Sequence, residues 1–143
     1  MLKTIPEIEQ DMSMFLDWED KYEYIIELGK ELPDYSDIRD ENHIVEGCMA
    51  NVWLVKERNH NGTYSIKLDG DAIIVRGLLY IISSLFNNKT RQEISDINAQ
   101  DTLEKLALDS HLSSQRLNGL SAVIKKIQNF DLEEKLEKEA ENE

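Results

Sequence analysis

Apolar and polar positions alternate along the chain with a period that changes twice, and each change predicts an element. Ile5, Ile8, Met12 and Phe15 recur at three- and four-residue spacing, as on one face of a first helix. Asp17 stands where an N-cap would begin a second helix, from about Trp18 to Leu32, with Tyr22, Ile25, Ile26 and Gly29 along one face and Pro33 as its stop. Residues 34–42 are polar and read as a loop. The period then shortens. Ala50 to Glu57 and Thr63 to Asp69 suit strands, Asn59-His60-Asn61-Gly62 suits the connection of a hairpin, and His43 to Glu46 reads as a short third strand. Asp71 occupies an N-cap position ahead of Ala72, Ile73, Ile74, Val75, Leu78, Leu79, Ile81, Ile82, Leu85 and Phe86. A helix apolar over most of its circumference belongs in the interior.

Thr90 and Glu93 form a capping-box pair for a short helix, another helix is expected around Thr102 to Leu108, and Ser113 caps the last long one. On that last helix Leu117, Leu120, Val123, Ile124 and Ile127 are expected to face inward. The fold class expected is α+β, with several helices packed on one small antiparallel sheet. A single domain is expected over residues 1–130, followed by an acidic tail over 131–143 that reads as a solvated, frayed helix end.

Composition narrows the possibilities. A chain of 143 residues with 41% hydrophobic content is large enough for one core. It has no apolar run long enough for a membrane span, and the segment from Met1 to Glu7 lacks the apolar stretch and cleavage site of a secretory signal. Cytoplasmic residence is the expectation, and a single free thiol agrees with a reducing compartment. The formal charge of -13 argues against nucleic-acid binding, which depends on clustered lysine and arginine. It favours solubility and basic partners. Seven acids against two lysines lie in the tail, so five of the thirteen net negative charges sit there and eight in the body.

The one cysteine, Cys48, lies between the loop and the first strand, in Glu46-Gly47-Cys48-Met49-Ala50-Asn51. Gly47 removes a side chain before the sulfur and admits backbone conformations that other residues avoid, so the sequence suits a thiol at a loop tip. A free cysteine is either inert packing or a nucleophile. This chain alone offers no disulfide partner and no further thiolates for a zinc or cluster site. His43 could act as a base only if the loop folds back, whereas His60 and His111 read as surface residues.

Four separated motifs, spread over roughly Trp18 to Ile127, resemble the SufE family of sulfur-acceptor proteins and its close relative CsdE. Trp18-Glu19-Asp20-Lys21-Tyr22-Glu23-Tyr24-Ile25-Ile26-Glu27-Leu28-Gly29, with Leu32-Pro33, is similar to the family's first tryptophan-led helix and its stop. Val45-Glu46-Gly47-Cys48-Met49-Ala50-Asn51-Val52-Trp53 resembles the Gly-Cys-x-Ser-x-Val-Trp signature around the sulfur-accepting cysteine. Asp71-Ala72-Ile73-Ile74-Val75-Arg76-Gly77-Leu78 is similar to the start of the central helix, and Leu112-Ser113-Ser114-Gln115-Arg116-Leu117-Asn118-Gly119-Leu120 to the Leu-Ser/Thr-x-x-Arg-x-x-Gly-Leu helix entry. Ala50 departs from the usual hydroxyl residue and Met49 from a commonly polar position.

The resemblance implies a SufE/IscU-like single domain and a role in the SUF system of iron–sulfur cluster assembly. Cys48 would accept the terminal sulfur of a persulfide on a SufS- or CsdA-like cysteine desulfurase, stimulate that enzyme, and pass the sulfur to a SufBCD-like cluster scaffold. The chain would then be a sulfur-transfer partner and not a stand-alone enzyme. It would bind no cofactor or metal of its own, pyridoxal phosphate belonging to the desulfurase. Asp71 and Arg116 match family positions near the cysteine loop or the partner surface, and Gly47 and Met49, flanking the sulfur, are expected as further partner-binding or positioning residues. Asp71 reads as a helix cap in preference to a chemical group, since an anion beside a thiolate disfavours ionisation. Shelter of a persulfide is also expected: Cys48 turned into an apolar pocket in the free protein, Gly47 as hinge, and Met49 as cover. Three other readings stay open, namely a U-type cluster scaffold, an acidic adaptor with a structural cysteine, and a cysteine hydrolase served by His43.

Overall fold

The computed structural model describes residues 1–48 and 50–142. Thr4 and Glu7 form a reciprocal capping box at the start of α1 (Ile5–Ser13), which buries Ile8 and Met12. Asp17 caps α2 (Trp18–Lys30) by accepting from the Asp20 amide. The buried side of α2 is Ile25, Leu28 and Gly29, and Tyr22, expected on that face, is exposed. Position 22 lies three residues before Ile25, at an angle that leaves its ring at the margin of the contact.

The chain next makes two short 3-10 turns, Ser36–Ile38 and Glu41–His43, and enters the hairpin β1 (Val52–Arg58) and β2 (Thr63–Gly70). The strands pair antiparallel from Val52 opposite Gly70 to Arg58 opposite Tyr64. The expected third strand at His43 to Glu46 is not a strand. Only Ile44 bridges Trp53, because residues 41–43 are wound into a turn and the chain turns again at Glu46 and Gly47. The third strand is β3 (Lys89–Thr90), on the free edge of β2, so the order is β1-β2-β3.

The long apolar helix is α3 (Ile73–Phe86), with Leu78, Leu79, Tyr80, Ile81, Ile82 and Phe86 buried. Its N-cap is Ala72, without a side-chain bond, and not Asp71. The Asp71 carboxylate is occupied elsewhere, accepting from Asn51 Nδ2 at 2.8 Å. Helices α2 and α3 meet backbone to backbone: a Cβ on Gly77 would lie 2.0 Å from the Ile25 carbonyl oxygen, and one on Gly29 would lie 2.6 Å from the Gly77 nitrogen. Two glycines therefore set how deeply α3 enters the core, and any larger residue at position 77 must push the helices apart.

After the Thr90–Glu93 capping box come α4 (Arg91–Asp96), α5 (Ala99–Lys105), α6 (Leu108–His111) and α7 (Ser114–Gln128). The helix expected around Thr102 to Leu108 is thus α5 and α6, separated at Ala107, which adopts φ 55. Ser113 caps α7, whose Leu120, Val123 and Ile127 are buried. The tail forms α8 (Asp131–Glu141) and is tethered: Tyr64 Oη donates to Glu133 at 2.5 Å, and Arg91 Nη2 donates to Glu137 at 2.6 Å. The pairing holds Glu137 below the usual carboxylate range. Exposed Leu132 and Leu136 remain on its outer side. Among the described residues, no helix is long and apolar enough to cross a membrane.

A charged cluster closes the outer face of the hairpin. Asp69 is 1% exposed, accepts from Arg39 Nε at 2.6 Å and from Arg76 Nη1, and also receives the Gly70 amide. Arg39 in turn lies 4.8 Å over the Trp53 ring. These bonds pin residues 34–43 to the sheet, and the following residues carry the cysteine.

Candidate functional site

Cys48 follows Gly47, whose φ of 93 lies in the left-handed region where an L side chain is strained. A Cβ there would also press to 3.3 Å against Ala122 Cβ. The glycine is therefore needed for both its conformation and its small size as the loop crosses α7. On the far side, the Asp71 amide donates to the Asn51 carbonyl at 3.3 Å while its carboxylate takes the Asn51 side chain. The loop thus leaves a glycine turn and ends at an Asx clamp.

Between these anchors the thiol is half-buried, not displayed at a tip, and Sγ–H donates to the Gly119 carbonyl at 3.4 Å. It lines a cavity of about 300 Å³. Helical spacing explains who shares the cavity. Arg116, Gly119, Leu120 and Val123 fall on one face of α7, and Val75, Leu78 and Leu79 fall on one face of α3. Val52 from β1 and Ala50 from the loop complete the apolar wall. Ala50 thus contributes a methyl group where the family it resembles commonly has a hydroxyl.

Of the residues singled out in the sequence, Cys48 and Arg116 line the same cavity, while Gly47 and Asp71 shape the two ends of the loop. Met49 lies outside the described residues. Arg116 is half-exposed, but its Nη1 is buried with no hydrogen-bond partner among the described residues. A buried guanidinium nitrogen without an acceptor is an uncommon, costly arrangement. It leaves donor capacity beside the thiol cavity. His43 is not among the residues that line the Cys48 cavity, and its Nδ1 lies 2.9 Å from the Ile38 carbonyl. His111 stacks on Trp18 at 3.9 Å, and His60 is exposed in the hairpin connection. Among the described residues, no three His, Cys, Asp or Glu side chains are gathered as a metal site would require.

Burial raises the Cys48 thiol above its ordinary value, because desolvation penalises the thiolate. The resting site therefore protects the sulfur more than it activates it. Alkylation of Cys48 is expected to keep accelerating with pH beyond the range where a small-molecule thiol levels off. A rate profile that plateaus at or below the ordinary thiol range would show a stabilised thiolate instead.

Gly119 was not marked in the sequence as part of the site, and of the central helix only apolar neighbours in general were expected there, not Val75, Leu78 and Leu79 in particular. The i, i+3, i+4, i+7 run of Arg116, Gly119, Leu120 and Val123 was a signal, but it reads equally as core.

Residues 6–131 match the family model described as SufE, an Fe-S metabolism associated domain. The chain is 38% identical over 130 residues to an uncharacterised SufE-like protein of Rhizobium meliloti, covering 88% of this chain and 93% of the relative. It also resembles the solution structure of a hypothetical protein from Thermus thermophilus, with a TM-score of 0.66 at 15% identity over 88% of this chain and 93% of the other. The latter likeness concerns the fold.

Proposed function

The chain belongs to the SufE family, a domain associated with Fe-S metabolism, and from that premise we propose that Cys48 is the sulfur-carrying residue of a persulfide carrier. The reading is supported above all by one observation: the single thiol of the chain is half-buried over an apolar cavity that it shares with Arg116, whose buried Nη1 has no hydrogen-bond partner among the described residues. Such a place suits a sulfur that must be held without being lost.

Loading is thiol exchange. The Cys48 thiolate attacks the terminal sulfur of a persulfide on a cysteine desulfurase. The Sγ–S bond forms as the donor's S–S bond breaks, and the electron pair leaves with the donor cysteine as its thiolate. No oxidant is consumed. The carbon–sulfur cleavage that creates the donor persulfide would be supplied by pyridoxal phosphate on the desulfurase, of the SufS or CsdA kind. A SufBCD-like scaffold would receive the sulfur, and the carrier would stimulate the desulfurase by emptying it.

Because the resting thiol is disfavoured as a thiolate, attack requires the loop to open, with Gly47 as one hinge and the Asn51–Asp71 clamp as the other. Arg116 would then pair with the thiolate or with an acid on the partner. Asp71 would act on the partner surface through its hold on the loop. The acidic body of the protein suits a basic rim around the desulfurase site.

Incubation with a desulfurase and cysteine is expected to add one or more sulfur atoms to the intact protein, mapped by peptide mass analysis to Cys48. An unchanged mass overturns the carrier reading. Arg116→Ala is expected to weaken desulfurase binding by about fivefold or more while changing stability by less than about 0.5 kcal/mol. A collapse of thermal stability in that variant would make Arg116 a structural residue.

A further inference from the structure

The carrier reading concerns what Cys48 accepts, and the opposite wall of its cavity bears on how the added sulfur is kept. Gly119 lies within α7, where glycine is a poorer helix former than alanine. Its φ is ordinary and a Cβ there would meet nothing closer than 3.7 Å. Neither backbone conformation nor crowding of the unloaded fold therefore requires a glycine, in contrast to Gly47 and Gly77.

What that Cβ would meet is the cysteine itself: Cys48 Sγ at 3.7 Å, Cα at 3.8 Å and Cβ at 3.9 Å. The gap is an ordinary contact for a bare thiol. It is too small once another sulfur, about 2.05 Å from Sγ, has to share that side. The Gly119 carbonyl, already accepting from Sγ–H at 3.4 Å, lines the same space.

Resting on the carrier reading, we infer that the absent side chain at Gly119 forms the slot for the second sulfur of loaded Cys48, making Gly119 a positioning residue for the persulfide. The loaded side chain turns toward α7 with its terminal S–H over the Gly119 carbonyl. A methyl group at position 119 fills the slot and turns the terminal sulfur toward solvent, where thiols attack it.

The test loads Cys48 directly with inorganic polysulfide. Cys48 thiolate takes a sulfane sulfur and a polysulfide shorter by one sulfur leaves, so no desulfurase is involved and the result is readable even if no desulfurase serves this protein. Gly119→Ala is expected to fold with an equal or higher thermal midpoint and to be alkylated at its unloaded thiol within about twofold of wild type. Its Cys48 persulfide should be lost to added glutathione about tenfold faster than that of the wild type. Equal persulfide lifetimes overturn the slot. Should the variant not fold, NMR of the wild-type protein decides: loading is expected to shift the Gly119 amide resonance, and an unchanged resonance overturns the inference.

Discussion

Cys48→Ser is expected to abolish sulfur acceptance and desulfurase stimulation while shifting the unfolding free energy by less than about 1 kcal/mol. The two halves of this expectation have separate causes. The sequence contains one cysteine, so no second thiol can substitute for it, and a hydroxyl is not ionised near neutral pH and does not attack sulfane sulfur. The native thiol contributes one long hydrogen bond to the Gly119 carbonyl and half-buried packing, and a serine hydroxyl can donate to the same oxygen. Desulfurase turnover with and without the variant, beside a urea titration, measures both. Stimulation at the wild-type level would end the assignment of Cys48, and a large loss of stability would make the cysteine a core residue.

Asp69→Ala should produce the largest loss of stability, about 3 kcal/mol, or a fall of roughly 10 °C in thermal midpoint for a chain of this size. The carboxylate is buried and bonds two guanidinium groups, so its removal leaves Arg39 and Arg76 close together with only the Asp34 and Asp71 carboxylates nearby, which bond neither guanidinium. Both arginines keep partial access to water, with side chains 39% and 26% exposed, which places the cost at the lower end for a broken buried pair. The variant should also alkylate faster at Cys48, since Arg39 no longer holds residues 34–43 on the sheet and Asp69 no longer supports the Gly70–Asp71 corner that clamps Asn51. Melting within about 1 kcal/mol of wild type would show the cluster to be exposed in solution.

Elements with a local cause were legible in the amino-acid sequence. The period of Ile5, Ile8 and Met12, the Asp17 cap, the Thr90–Glu93 box, the Ser113 cap and the apolar run of α3 are patterns within a few residues, and each appears as expected. The cysteine motif and its neighbours likewise carried the family, because the residues that carry it stand in contiguous runs. The mistaken expectations involve groups with a choice of partners. Asp71 had the composition of a cap but bonds Asn51, twenty residues away, and His43 to Glu46 had the composition of a strand but lies between two turns. The tail, by contrast, is the solvated helix its composition suggested, with no buried residue in Asp131–Glu141, although Tyr64 and Arg91 bond its Glu133 and Glu137.

What stands around the sulfur follows from packing across the whole chain. Three segments far apart in sequence, β1 with its loop, α3 and α7, converge on one cavity, and no local pattern states which face of α7 will meet Cys48. Asp69, which the strand alternation would turn outward, is buried because the 34–43 loop covers that face and brings Arg39 to it. The depth of α3 depends on the Gly29–Gly77 crossing, a contact between backbones that leaves no side-chain signature. Local pattern is set by near neighbours in sequence; the shelter of Cys48 arises from long-range packing, in which each surface is defined by the one opposite it.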